Sequence, residues 1–131
     1  MMLEKLRIED FDQVYDLMRQ SFPENEYRSY EKQRALLTER AYSIYILYSE
    51  KREVLAFLSS WDFEHFTYIE HFALNPRYRG GGIGTRLLEE FVNNVESVVC
   101  LEVEMPENVM AQRRIQFYER NGFFLNDFPY Y

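Results

Sequence analysis

Residues 72–88, with the sequence FALNPRYRGGGIGTRLL, decide the fold. Four of the five glycines of the chain lie here, at Gly80, Gly81, Gly82 and Gly84, between a predicted strand and a predicted helix. Glycines at such a junction let the backbone approach an anion closely, and the first N–H groups of the helix then bind phosphate oxygens. A flexible turn is the alternative, but it would require neither Arg79 in front nor an apolar helix directly behind.

Two common phosphate-binding motifs do not match this segment. A Walker A loop requires Gly-Lys-Ser/Thr, whereas Gly84 is followed by Thr85 and Arg86. A dinucleotide fingerprint that begins at Gly82 requires a small residue where Leu87 stands. The segment therefore indicates a phosphate ligand of another kind.

The chain before the glycines alternates between helical and strand patterns. Apolar residues at helical spacing predict a first helix after Asp10 that ends near Ser21, and residues 31–38 predict a second, shorter helix. Alternation over 42–48 and the run 54–58 predict a hairpin. Residues 66–74 predict the next strand, which ends at Asn75-Pro76 and has Phe66, Tyr68, Glu70, Phe72 and Leu74 on one face.

The chain after the glycines repeats the helix and strand alternation. Apolar spacing from Ile83 to Val95 predicts a helix, residues 98–103 predict a buried strand, and a last helix ends at Asn121-Gly122. A strand, helix, strand order implies a parallel crossover. The predicted order is βααβββαβα, with residues 123–131 able to form one more short strand. We therefore expect a mixed α/β fold in a single domain, residues 1–131.

Composition and charge narrow the function. The chain has 131 residues, 47% of them hydrophobic, and a formal net charge of -7, which disfavours nucleic acid and anionic membranes as partners. An acidic surface favours cationic ligands such as amines, although it also simply keeps a protein soluble. The single cysteine, Cys100, excludes an internal disulfide and a cysteine-based zinc site, and we see no leader or membrane-spanning segment. We expect a soluble, cytoplasmic protein.

Arg79, Gly82 and Gly84 resemble motif A of the GNAT acetyltransferases, Arg/Gln-x-x-Gly-x-Gly/Ala. Residues 72–76 resemble the end of the family's fourth strand, and residues 117–123, FYERNGF, resemble its motif B. The resemblance implies a GNAT acyl-CoA N-acyltransferase fold, in which a mixed sheet is splayed after the fourth strand and carries helices on both faces. It also implies direct transfer of an acetyl group from acetyl-coenzyme A to a primary amine, without a covalent enzyme intermediate or a metal.

The resemblance also assigns the cofactor contacts. Backbone N–H groups from Arg79 to Thr85 would bind the pyrophosphate, and the main chain of the fourth strand would pair with the pantetheine arm. Leu74 N–H would polarise the thioester carbonyl. The implied cofactor-binding residues are Phe72, Ala73, Leu74, Arg79, Gly80, Gly81, Gly82, Ile83, Gly84, Thr85 and Tyr118. One departure is that Ala111 occupies the position where many relatives have an Asn.

Acetyl transfer to an amine requires a base, because an amine such as that of lysine is protonated at neutral pH. Glu70 is the first candidate, with a solvated surface carboxylate as the alternative. Glu102 is the second, and together with Glu104 it could instead bind a cationic substrate or simply be solvated. Tyr118 resembles the family's acid, which protonates the departing thiolate, although its ring is expected to pack against the core in either case.

Three other reactive side chains receive no catalytic role. We expect His71 to be a satisfied core histidine on the strand face opposite Glu70, and His65 to lie in a bend. Cys100 has apolar neighbours, which favours a buried, inert thiol.

The C-terminal residues raise a separate expectation. The family usually continues through two strands after the last helix, whereas this chain has only residues 123–131, with Pro129 among them. We therefore expect two chains to associate through the fifth strand, or the native protein to be longer. The rival to the enzyme is a module that binds acyl-coenzyme A without catalysis.

Overall fold

The computed structural model describes residues 2–78, 80–102 and 109–124. These residues fall into two compact units, divided between Leu101 and Glu102. The first unit holds the sheet and three helices, and the second holds the last helix. Membership of all 131 residues in one domain stays a prediction.

Five strands form one sheet in the first unit, in the order β1-β2-β3-β4-β5. Neighbouring strands are antiparallel except for β4 and β5, which are parallel. The parallel pair is possible because α3 connects the two strands. The bounds are β1 Met2–Lys5, α1 Phe11–Ser21, α2 Tyr30–Ala35, β2 Tyr42–Tyr48, β3 Val54–Asp62, β4 Phe66–Leu74, α3 Ile83–Asn93 and β5 Val98–Leu101.

Helices α1 and α3 pack on opposite faces of the sheet. Val14, Leu17 and Met18 of α1 belong to a buried cluster with Ile44 and Ile46 of β2. On α3, the ring of Phe91 contacts that of Tyr45, the residue between those two isoleucines, at 5.4 Å between ring centroids. Because successive strand residues point to opposite faces, the two helices cover different sides of the sheet. The predicted mixed sheet with helices on both faces is thus confirmed.

The predicted element order βααβββαβα is also confirmed, with two differences in the strands. β3 was predicted to end at Leu58 but continues to Asp62, because Ser59 and Ser60 are buried and pair with β4. β5 was predicted to be buried, which is wrong: Val98 is 70% exposed and the other three residues are half-buried. Residue 103, the predicted end of β5, lies outside the described residues.

The second unit contains α4, Val109–Arg120. Ala111 and Ile115 are its buried residues, as the apolar stripe predicted. Residues 125–131, on which the expected C-terminal strand and most of the expected contact between two chains depend, lie outside the described residues. Both expectations stay predictions.

Candidate active site

Three successive glycines connect β4 to α3. Gly80, Gly81 and Gly82 have φ angles of 92°, 68° and 71°, all in the left-handed region that side chains other than glycine rarely adopt. Apart from chain neighbours, a Cβ atom added to any of them would meet no atom of the described residues within 4 Å. The backbone conformation therefore requires glycine here, and the described residues leave the space in front of it open. We call Gly80–Gly82 the glycine loop.

The glycine loop leads into the N-terminus of α3. Gly82 is the N-cap residue and has no side chain with which to cap the first turn. The N–H groups of Ile83, Gly84 and Thr85 come before the first intrahelical hydrogen bond, which runs from Arg86 N–H to Gly82 C=O. Free N–H groups at a helix N-terminus bind anions. Arg79, which begins the sequence motif, lies outside the described residues.

Glu70 is the extra residue of a β-bulge in β4. Ser59 of β3 pairs with His71 and Ser60 pairs with Ile69, so that the register skips Glu70. A bulge twists a strand locally and redirects a side chain, and bulges are common beside active sites. The Glu70 side chain is 22% exposed. The sequence predicted its place on the half-exposed face of β4, but it contained no sign of the bulge.

Arg28 forms a bidentate ion pair with Glu70. Its Nη1 donates to Oε1 at 2.9 Å and its Nη2 to Oε2 at 2.8 Å. Trp61 Nε1 also donates to Oε1, at 3.2 Å. Burial raises the pKa of the Glu70 carboxyl, but the hydrogen bonds and the charge of Arg28 outweigh burial and hold that pKa below its usual range. Glu70 is therefore ionised at neutral pH.

A chain of hydrogen bonds continues from Arg28 into the core. Arg28 Nη1 also donates to Gln33 Oε1 at 3.3 Å, and the fully buried Gln33 donates from Nε2 to the Tyr42 hydroxyl at 2.6 Å. The Tyr15 hydroxyl donates to the carbonyl of Arg28 at 2.8 Å. These bonds fix the segment before α2 against the sheet. Sequence reasoning missed both Arg28 and Trp61, since neither belongs to a motif.

His71 is the satisfied core histidine that the sequence predicted. It is 4% exposed, and its Nε2 lies 2.7 Å from the carbonyl oxygen of Glu26. Because a carbonyl can only accept, Nε2 carries a hydrogen, while Nδ1 lies 3.4 Å from Ser59 Oγ. The bulge brings Nδ1 within 3.8 Å of Glu70 Oε1, although the sequence predicted opposite faces for the two residues.

Tyr118 lies near the C-terminal end of α4, and its ring contacts a residue of the motif that caps this helix. Gly122 has φ 91°, its N–H donates to Glu119 C=O, and Phe123 N–H donates to Tyr118 C=O at 3.0 Å. These two bonds form a Schellman motif, which typically carries an apolar contact between the same outer residues. The rings of Tyr118 and Phe123 lie 5.7 Å apart. Part of the motif B signature is thus explained by helix capping, and burial raises the pKa of the Tyr118 hydroxyl.

The remaining reactive side chains that the sequence singled out are exposed, half-buried or outside the described residues. Glu102 is exposed and belongs to the second unit, and Glu104 lies outside the described residues. Cys100 is half-buried rather than fully buried, and burial raises the pKa of its thiol, so that it is a poor nucleophile. His65 is 86% exposed, in the bend between β3 and β4.

Two other kinds of feature are absent from the described part of the chain. Over residues 2–78, 80–102 and 109–124, no group of three or more His, Cys, Asp or Glu side chains could hold a metal ion. None of the helices in these ranges is long and apolar enough to span a membrane.

Comparison with known proteins agrees with the fold. The family model of the GNAT acetyltransferases matches residues 11–123. A solved protein from Bacteroides thetaiotaomicron, described as an acetyltransferase from the GNAT family, is 36% identical, with a TM-score of 0.88 over 100% of this chain and 76% of that one. The chain belongs to the GNAT acetyltransferase family.

More distant solved structures share the fold. An aminoglycoside antibiotic 6'-N-acetyltransferase from Acinetobacter baumannii has a TM-score of 0.78 at 14% identity, over 99% of this chain and 95% of that one. A ribosomal-protein-alanine N-acetyltransferase from Brucella melitensis has a TM-score of 0.76 at 16% identity, over 100% of this chain and 97% of that one. No curated protein sequence gives a significant match.

Proposed function

We propose that the protein is an acetyl-CoA-dependent N-acetyltransferase that acts on a primary amine. The observation that carries the proposal is the glycine loop, in which three left-handed glycines stand directly before the first N–H groups of α3 in a chain of the GNAT family. These residues fit a pyrophosphate, because glycine permits close approach and the helix N-terminus favours negative charge. When bound, acetyl-CoA supplies the activated thioester.

The cofactor would contact three parts of the chain. N–H groups from Arg79 to Thr85 hold the pyrophosphate, and the main chain of Phe72, Ala73 and Leu74 pairs with the pantetheine arm. Leu74 N–H donates to the thioester carbonyl and stabilises the negative charge that develops on its oxygen. Tyr118 also contacts the cofactor. These assignments rest on the resemblance to the family motifs.

Two side chains would move protons. Glu70 accepts the proton that the amine nitrogen loses on forming the new C–N bond, directly or through water. As the C–S bond breaks, Tyr118 donates its hydroxyl proton to the thiolate. The raised pKa of Tyr118 keeps that hydroxyl protonated at neutral pH, as a donor must be. Glu102 is the second candidate for the base, or a ligand of a cationic acceptor.

The acceptor is proposed only as a class. The net charge of -7 favours an amine that enters as a cation. Solved relatives are titled as acetyltransferases of spermidine, of aminoglycosides and of ribosomal-protein alanine. A panel of polyamines, aminoglycosides and N-terminal peptides, assayed for release of the coenzyme A thiol, would identify the class.

A second candidate function is an acyl-CoA-binding module without turnover. It is favoured by the low pKa of Glu70, since an ion-paired carboxylate is a weak base. Glu70→Gln and Tyr118→Phe separate the two functions. The enzyme loses turnover in both variants and keeps acetyl-CoA affinity, whereas the module has no turnover to lose. Turnover that is unchanged in Glu70→Gln and reduced in Glu102→Gln would transfer the base role to Glu102.

A further inference from the structure

The Arg28–Glu70 pair joins two distant parts of the chain at the β4 bulge. Arg28 precedes α2 and Glu70 lies 42 residues later, yet both carboxylate oxygens receive a guanidinium N–H at 2.8 to 2.9 Å. Such bidentate pairs fix the orientation of the carboxylate as well as its charge. The Arg28 side chain is itself held by Gln33, so the geometry of Glu70 is set from outside its own strand.

The described residues leave one hydrogen-bond acceptor position of the Glu70 carboxylate unused. A carboxylate offers about four acceptor positions, two on each oxygen. Arg28 and Trp61 fill both positions on Oε1, and Arg28 fills one on Oε2. Among the residues that the structure describes, no donor fills the second position on Oε2. The Glu70 side chain is 22% exposed, so that part of it is accessible to a ligand.

The titratable groups that act on Glu70 come from three parts of the chain. Arg28 faces it from the segment before α2, Tyr42 from β2 and His71 from β4 itself. The Tyr42 hydroxyl is neutral, since burial raises its pKa. His71 Nδ1 lies 3.8 Å from Glu70 Oε1, and the His71 ring contributes less than Arg28 to lowering the pKa of Glu70. Among the described residues, Arg28 thus has the strongest lowering effect on the pKa of Glu70.

We infer that Arg28 is a positioning residue, which orients Glu70 so that the open position on Oε2 receives a hydrogen of the acceptor amine. The inference rests on the proposed acetyl transfer and makes it more specific. Because Arg28 keeps Glu70 ionised, the acceptor binds first as an ammonium ion. A water beside Oε2 carries one ammonium proton to the solvent, and the neutral amine then attacks the thioester carbonyl carbon. As the C–N bond forms and the C–S bond breaks, Glu70 accepts the second proton of the nitrogen and the thiolate takes the proton of Tyr118. The ligand class is therefore a primary aliphatic amine that arrives protonated.

Two substitutions at Arg28 test this role. Arg28→Gln removes the positive charge and the planar guanidinium that donates two parallel hydrogen bonds. Arg28→Lys keeps the charge but not the bidentate geometry. Without Arg28, the largest effect that lowers the pKa of Glu70 is lost while burial remains, so this pKa rises and the acid limb of the kcat/KM profile moves to higher pH. We expect kcat/KM near neutral pH to fall about tenfold to a hundredfold in Arg28→Gln, through lost orientation, and less in Arg28→Lys.

The matched control is Arg52→Gln. Arg52 also pairs with a glutamate, Glu4, at 2.6 Å, but this pair lies on the surface near the edge strand β1. We expect its pH profile to coincide with that of the wild type. Titration of the Glu70 carboxyl by carbon-13 NMR, in the wild type and in Arg28→Gln, gives a readout that does not require turnover.

Three outcomes decide the inference. The inference is supported if, in Arg28→Gln, both the acid limb of the kcat/KM profile and the titration midpoint of Glu70 move to higher pH. A lower kcat with an unmoved acid limb, or an unmoved midpoint, overturns it and leaves Arg28 a structural role. If the wild type binds acetyl-CoA but turns over no amine, the proposed function fails, and the Glu70 midpoint still decides whether Arg28 governs this carboxylate.

Discussion

The glycine loop owes its conformation to residues that are neighbours in the chain, whereas the Arg28–Glu70 pair joins residues 42 positions apart. Three adjacent glycines followed by an apolar helix can be read directly from consecutive residues. Nothing local marks Arg28, which lies in a polar stretch of ordinary composition. The difference separates a proposed binding element, encoded in one short segment, from a proposed catalytic arrangement that exists only after distant parts of the chain have come together.

The largest expected effect comes from breaking the local element. Gly82→Val places a β-branched side chain at φ 71°, and it also fills the open space where the pyrophosphate is proposed to lie. We expect acetyl-CoA affinity to fall about a hundredfold or more, since a blocked backbone cannot approach the phosphate and the loop must distort. Isothermal titration calorimetry measures this.

The control at the same position is Gly82→Asn, because Asn tolerates the left-handed region better than other side chains. It relieves the backbone strain and keeps the obstruction. Loss of binding in both variants would identify obstruction as the cause. Normal affinity in Gly82→Asn would show that only the strain matters, and a wild type that neither binds nor is stabilised by millimolar acetyl-CoA would contradict the proposed function.

Tyr118→Phe should have the next largest effect. The ring and its contact with Phe123 remain, and only the hydroxyl is lost. We expect kcat to fall about a hundredfold, the lower end of the range for a lost general acid, with acetyl-CoA affinity nearly unchanged. Steady-state kinetics and calorimetry on the same preparation test both parts. Phe123→Ala is the control variant, since it removes the contact between the two rings and keeps the Tyr118 hydroxyl.

A smaller effect concerns the stability of the long-range pair. The pKa of Glu70 is lowered in the folded state, so the pair stabilises the fold above pH 4.5 and loses this contribution as the pH falls through the folded pKa. Since both side chains are only partly exposed, we expect Glu70→Gln to cost about 1 to 3 kcal/mol at pH 7. The difference from the wild type should shrink at acid pH in urea unfolding. A difference that is independent of pH would show that the pair contributes no linked stability.

The sequence predicted helices and strands correctly where residues close in the chain determine their limits. β4 was placed at its observed limits, Phe66–Leu74, because a bend precedes it and Asn75-Pro76 follows. The C-terminal part of β3 was missed because Ser59 and Ser60 are polar, and their burial depends on partners in β4. Ser59 Oγ, for example, accepts the His71 N–H at 3.1 Å.

The same distinction applies to the site. The glycine loop and the burial of the apolar stripe of α4 were predictable from spacing. The β-bulge was not, because it is a property of the register between two strands. Without the bulge and without Arg28, Glu70 would be one half-exposed carboxylate among 22 acidic residues. The bulge and the ion pair with Arg28 together give it a fixed orientation, and the ion pair lowers its pKa.

The smallest expected effect tests whether the C-terminal signature acts through capping. Gly122→Ala puts a Cβ at φ 91°, in open space, so the cost is backbone strain alone, about 1 kcal/mol. Gln116→Ala, an exposed position in the middle of α4, is the control and should be nearly neutral. Amide exchange of Gly122 and Phe123, whose N–H groups cap α4, should accelerate only in the glycine variant. Should Gly122→Ala also lower turnover as strongly as Tyr118→Phe, the cap would hold the Tyr118 hydroxyl in place, and a local element would then control the chemistry as well as the helix end.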